Sequence, residues 1–295
     1  MTFIEAHPHT TLSLPAIKTL SLDPILFSQV PALDTVLIKQ ISLLDEQSQW
    51  PDTGYSKDQI KSAISTVVTT YLKPQFVVTG SPGANGNVPL PLPTKPDILE
   101  AWLQATTSMV SNLPVESIFP VADLWRLAVL NAPVCLWIDS RPPSKPNDPL
   151  EVLLPKAALA VDSSSKGARN FTLIMLRFLC NCFSHACLAN RLLRTGIRDQ
   201  VTTVLIASLL HPDAAVRTAS ASLAFNAAAV LQKERVDAVK SGRGIQSESE
   251  DDLADWQVEV MTAVVEALNR EKENEEVGAL LPIVLSCGLE ISHAA

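Results

Sequence analysis

Apolar residues along this chain recur at spacings of three and four, the period of a helix with one buried face. The clearest case is residues 169–186. Phe171, Ile174, Met175, Phe178, Cys182 and Phe183 share one face, and Arg177, Asn181 and His185 follow one another at intervals of four on a narrow polar stripe. The pattern predicts one buried helix across that whole stretch. A helix is also expected over 30–44, with Leu33, Val36, Leu37, Ile41 and Leu44 inward. Ser56 followed by Gln59 marks a capping box for a helix that runs through Ile60, Ile64 and Tyr71 and stops before Pro74. Thr94 with Pro96 opens another, Phe119-Pro120 a further one over 121–130, and beyond Leu150 the pattern is almost wholly helical. Its breaks fall near Gly167, Gly196, Pro212 and Gly242, and two last helices are expected over 253–269 and 275–291. Phe76 to Thr79 is the single β-like run, so the fold class is all-α.

Between the helices, 75–93 and 141–149 read as proline-rich loops and 241–252 as a charged, mobile loop. Residues 1–23 read as a tail or docking strap, and 24–295 as one domain. The second half repeats. Asn181 in Leu179-Cys-Asn-Cys-Phe and Asn226 in Ala224-Phe-Asn-Ala-Ala lie 45 residues apart, a period suited to armadillo or HEAT repeats. Arg126 precedes Arg177 by 51 residues, about one period plus the proline-rich insertion. Stacked repeats form a right-handed helical solenoid with a curved inner surface. Asparagine there suits an extended peptide, because its amide offers donors and an acceptor to an unpaired backbone.

At these residues the chain resembles the PUL domain, the armadillo-like module at the C-terminus of the phospholipase-activating-protein family. The matching pieces are Phe119-Pro-Val-Ala-Asp-Leu-Trp-Arg-Leu, Leu176-Arg-Phe-Leu-Cys-Asn-Cys-Phe and Ala221-Ser-Leu-Ala-Phe-Asn, with a weaker one from Phe27-Ser-Gln-Val-Pro. The resemblance implies a six-repeat solenoid whose partner is the acidic C-terminal tail of the hexameric AAA unfoldase of the valosin-containing-protein type. It implies an arginine of the groove at Arg126. At the family's second arginine, in a late helix, this sequence has Pro282, or Ala279 in a shifted register, and the family has one more repeat beyond Ile291. Arg177 or Arg217 is expected to compensate. The alternative implied by the resemblance is a scaffold that has lost the tail site and supports a neighbouring thioredoxin-like or isopeptidase domain.

Composition narrows the chemistry. Net charge is −8, which argues against non-specific attraction to nucleic acid or an anionic membrane. The charge is uneven: between Lys156 and Arg198 seven cations stand against one acid, Asp162, which suits an acidic ligand. No apolar run of about 18 residues is evident, so no membrane span is expected, and the N-terminus lacks the pattern of a secretory signal. Five cysteines, an odd number, sit mostly inside apolar helical patterns, the usage of a reducing cytoplasm or nucleus. Cys180 and Cys182 are two apart on a helix and point away from each other, so no metal site is expected. The glycines of 80–86 lack the Lys-Ser/Thr of a phosphate loop, and no nucleophile elbow is present. The sequence therefore reads as a binding module, not an enzyme, with no cofactor. Its candidate peptide-binding residues are Arg126, Arg177, Arg217, Asn181 and Asn226.

Overall fold

A computed structural model describes residues 22–51, 54–74, 95–141, 148–194, 196–241, 250–271 and 275–289. Thr94, the run 76–79, most of the two predicted loops at 75–93 and 241–252, and residues 1–21 lie outside the described residues. The described chain is all-helical. After an irregular segment at 22–32 come α1 (Leu33–Asp45), α2 (Lys57–Val67), α3 (Pro96–Asn112), α4 (Phe119–Ala128), α5 (Ala132–Asp139), α6 (Pro149–Ala160), α7 (Lys166–Cys182), α8 (Ala186–Arg194), α9 (Arg198–Leu209), α10 (Ala214–Lys240), α11 (Glu250–Arg270) and α12 (Glu275–Leu289).

Local chemistry sets most of these boundaries. Ser56 accepts from the Gln59 amide N–H at 3.2 Å, and the Gln59 side chain returns a bond to the Ser56 N–H at 2.8 Å, completing the capping box of α2. That helix widens into one π-type turn at Val68–Leu72 before Pro74. The α1 helix begins three residues later than the apolar period suggests, because Pro31 favours an extended neighbour and the chain before it is engaged elsewhere. Asp148 caps α6 by accepting from Leu150 and Glu151, and Ser165 caps α7 by accepting from Ala168.

The predicted helix 169–186 is not continuous. It ends at Cys182, turns through Phe183–His185, and resumes as α8 at an angle of 119°. The apolar period runs on through the turn because both helices bury the same kind of face, so periodicity alone could not place the break. His185 therefore leaves the polar stripe.

The helices pack in rows. In one row α4 lies on α7, α7 on α10 and α10 on α12; in a second, α3 lies on α6, α6 on α9 and α9 on α11; the short α5 and α8 also touch. One apolar core runs between the rows. Its first half is centred on Trp102 and Trp125, stacked with centroids 3.5 Å apart, and Trp137 extends the stack at 6.5 Å. The Trp125 indole N–H donates to Thr106 Oγ1 at 2.9 Å.

One expectation from composition is corrected. Residues Ala214–Ala238 of α10 are long and apolar enough to cross a membrane, with a mean hydropathy of 1.3, although 67% of that window is buried inside the fold. Alanines supply much of the apolarity. Ala219, Ala221, Ala224, Ala227 and Ala229 are buried between neighbouring helices, and small residues scattered among Ser and Thr escape a search for unbroken apolar runs.

Candidate functional site: a line of amides and arginines

The row α4–α7–α10 presents Arg126, Asn181 and Asn226 side by side. The sequence spacing brings this about. Each residue lies late in its helix or near its middle, and each helix stacks one step beyond the last. The Asn181 amide donates to the Arg126 carbonyl at 2.8 Å, and the Asn226 amide to the Cys180 carbonyl at 3.4 Å. Each asparagine is thereby pinned to the helix before it. Both are fully buried, and a buried amide without partners would cost about 1–3 kcal/mol.

The other partners come from the chain itself. Residues 22–30 lie as a strap along this line. The Ile25 N–H donates to Asn226 Oδ1 at 2.7 Å, and Asn226 Nδ2 donates back to the Ile25 carbonyl at 3.0 Å. One step on, the Phe27 N–H donates to Asn181 Oδ1 at 2.7 Å and its carbonyl accepts from Asn181 Nδ2 at 3.1 Å. Each side chain thus imitates the paired bonds that a neighbouring β-strand would offer. Two extended residues advance about 6.7 Å, close enough to the 8–10 Å between packed helices for alternate residues to meet successive asparagines. Arg126 completes the row, donating through Nη1 to the Phe27 carbonyl and through Nη2 to the Gln29 carbonyl at 3.0 Å. The strap runs from α10 across α7 to α4, against the order of the helices, and then enters α1, which packs on α2 and α4.

The five candidates do not all share this place. Arg126, 5% exposed, is also held by Asp123 at 2.5 Å, one helical turn away. Arg177 faces the same strap: its guanidinium lies 5.2 Å from the centroid of the Phe27 ring, a cation–π contact. Its Nε has no hydrogen-bond partner among the described residues. Burial, and then the nearby charge of Arg126, hold its pKa below the ordinary arginine value. Arg217 is elsewhere. It pairs with Glu271 at 2.7 Å and donates to the carbonyls of His211 and Pro212, about 13 Å along α10 from Asn226 at 1.5 Å per residue.

The predicted basic middle is also less basic in three dimensions than in sequence. Arg169 pairs with Asp213 at 2.6 Å, Arg191 with Asp148 and with Glu151 at 3.0 Å, and Arg198 approaches Asp199 at 3.8 Å. Acids outside the 156–198 run, from the start of α6, the start of α10 and Asp199 of α9 itself, neutralise cations that look unopposed within it. Along the strap the cations include Arg126, already shared with Asp123, Arg177, and Lys233, 3.7 Å from Asp23. On α12, Pro282 and Ala279 are both exposed.

Cys135, Cys180 and Cys182 are buried free thiols, and Cys187 is a half-buried one. Desolvation pushes Cys135, Cys180, Cys182 and Cys187 above the ordinary thiol value, which disfavours the thiolate that nucleophilic or metal chemistry needs. Sequence reasoning missed the strap as occupant. The sequence carried no signal for it: Ile25-Leu26-Phe27 is a continuous apolar run, and the alternation of Ile25 and Phe27 inward with Leu26 and Ser28 outward exists only in the fold.

The PUL domain family matches residues 22–288 of this chain, a span that includes Arg126, Asn181, Asn226 and the segment before α1. The chain belongs to the PUL domain family. The match begins where the described strap begins, so the strap lies within the domain and not ahead of it. No curated protein matches the chain. The PUL domain is a protein-interaction module, and in this one the line of amides and Arg126 holds the chain's own extended residues 25–29.

Proposed function

We propose that this PUL domain is an armadillo-type solenoid that acts as an adaptor of the ubiquitin system in the cytoplasm or nucleus. Its partner in this reading is the acidic C-terminal tail of the hexameric AAA unfoldase of the valosin-containing-protein type, taken along Arg126, Arg177, Asn181 and Asn226. The observation that carries the reading is the double hydrogen bonding of Ile25 by Asn226 and of Phe27 by Asn181. This is backbone recognition, and it suits any extended chain. Arg177, with an Nε unpartnered among the described residues, is the cation best placed to take a carboxylate of the tail.

Calorimetric titration of the full chain with an unfoldase tail peptide tests this. Micromolar binding that weakens with salt is expected, falling about 10-fold in Arg177→Ala, equivalent to about 1.4 kcal/mol. Absence of heat, or equal affinity for the two proteins, overturns it.

A second reading has an observation of its own. Among the described residues the Arg126 guanidinium donates to Asp123, Phe27 and Gln29, and α12 carries Pro282, or Ala279 in a shifted register, where a second arginine would stand. Both features favour a scaffold that has lost the tail site and supports a neighbouring thioredoxin-like or isopeptidase domain. Silence of the tail peptide together with co-purification of such a domain is its expected signature.

A further inference from the structure

The strap fills the groove, and the helices that form the groove also pack on one another without its mediation. The helices of the α4–α7–α10 row pack directly on one another through residues such as Leu124, Leu127, Phe178, Leu179 and Leu223, which are at most 1% exposed. The strap, by contrast, is half-buried at Ile25 and Phe27 and exposed at Leu26, Ser28, Gln29 and Val30. Its hold among the described residues includes six hydrogen bonds, the cation–π contact of Arg177 with Phe27, a long ion pair of Asp23 with Lys233 at 3.7 Å, and the partial burial of Leu22, Ile25 and Phe27 against the core. Segments held in this way belong to the low-stability end of a fold.

Selectivity lies in the two inward side chains. The amide bonds to Ile25 and Phe27 and the Arg126 bonds to the Phe27 and Gln29 carbonyls all go to backbone and read no sequence. What distinguishes one extended chain from another is the aliphatic side chain beside Asn226 and the aromatic ring beneath Arg177. Leu26 and Ser28 face out. Any occupant must also bring backbone donors and acceptors at the same spacing, because withdrawing the strap leaves the buried amides of Asn181 and Asn226 short of partners.

We propose that residues 22–30 are a resident stand-in for the groove's ligand. The trans partner is an extended segment carrying an aliphatic and an aromatic side chain two residues apart, and it binds by displacing the strap. This deepens the reading of the groove as a peptide site and rests on it, but it specifies the partner by apolar register and not by acidity. A tethered segment presents itself at an effective concentration in the millimolar range. A free peptide of equal intrinsic affinity therefore displaces about half of the straps only near ~1 mM, and weaker competitors none.

The test uses the full chain and a synthetic peptide of residues 22–31, with amide hydrogen exchange of the chain's own strap read by mass spectrometry. Exchange over residues 25–27 is expected to quicken as peptide approaches ~1 mM, with half-effect in that range. A peptide with Ile25→Gly and Phe27→Gly should be without effect. Unchanged exchange at several times ~1 mM, or equal acceleration by both peptides, overturns the proposal. A second arm places Ile25→Gly and Phe27→Gly in the chain, which leaves the groove residues intact. Labelled peptide is expected to bind this variant at least about 10-fold more tightly than wild type, and Asn181→Ala in the same background should abolish that binding. Equal affinity for variant and wild type at wild-type helix content also overturns it. Success here with silence of the acidic tail would retire the unfoldase reading alone; the reverse would retire only the strap as competitor.

Discussion

Asn181 shows how one side chain organises a site. Its amide oxygen accepts from Phe27, and its nitrogen donates both to Phe27 and to Arg126. Every bond is short and the residue is fully buried. Asn181→Ala removes three bonds and leaves the Arg126 carbonyl and the Phe27 N–H facing a void. A loss of about 2–4 kcal/mol is expected, a sizeable share of the 5–15 kcal/mol typical of folded domains. Urea unfolding should show it as a lower midpoint at nearly unchanged slope. The asparagine was legible in sequence because a polar residue recurring inside apolar helices 45 residues apart demands a reason. The partner was not legible. Phe27 is 154 residues away, and no local pattern encodes which chain will lie against an amide.

Elements were legible where a local chemical device marks them and obscure where two devices overlap. The Ser56–Gln59 capping box places the start of α2 to the residue. The α7–α8 turn went unseen because Cys182 and Phe183 keep the apolar period through it. A close approach in the first turn of α7 is similarly invisible in sequence. A Cβ on Gly167 would sit 2.5 Å from the Glu116 Cβ and 2.8 Å from its Cα, and Glu116 also accepts from the Ser165 cap at 3.0 Å. Gly167→Ala would ordinarily gain up to about 1 kcal/mol of helix propensity. Here the clash should outweigh that gain and lower stability by about 1–3 kcal/mol, read as a reduced midpoint in chemical denaturation. Glycine is required at this position by a neighbour 51 residues earlier in the chain.

At the scale of the whole molecule, packing redistributes charge and sets the response to pH. His211, between α9 and α10, accepts from the Asp213 N–H through Nδ1 at 2.9 Å, a bond that needs the neutral ring. Burial lowers its pKa below the ordinary 6.5, and Arg169 and Arg217 push the same way against Asp213. The unfolded chain therefore binds more protons than the folded one between that lowered value and 6.5. Stability is complete above this window and falls as pH drops through it. His211→Gln should flatten that decline in denaturation midpoints measured from pH 7 to pH 5; an unchanged slope would refute the assignment.

From its sequence alone this protein was bound to be all-helical and to carry a recurring asparagine on stacked helices, because helical period, caps and repeat length are properties of neighbouring residues. Tertiary structure alone decided what the asparagines hold, where α7 ends, and which arginines keep an unshared charge. The asparagines meet backbone 154 and 201 residues away and Arg217 meets Glu271 54 residues on, and such meetings are settled by packing and not by any pattern a short window contains.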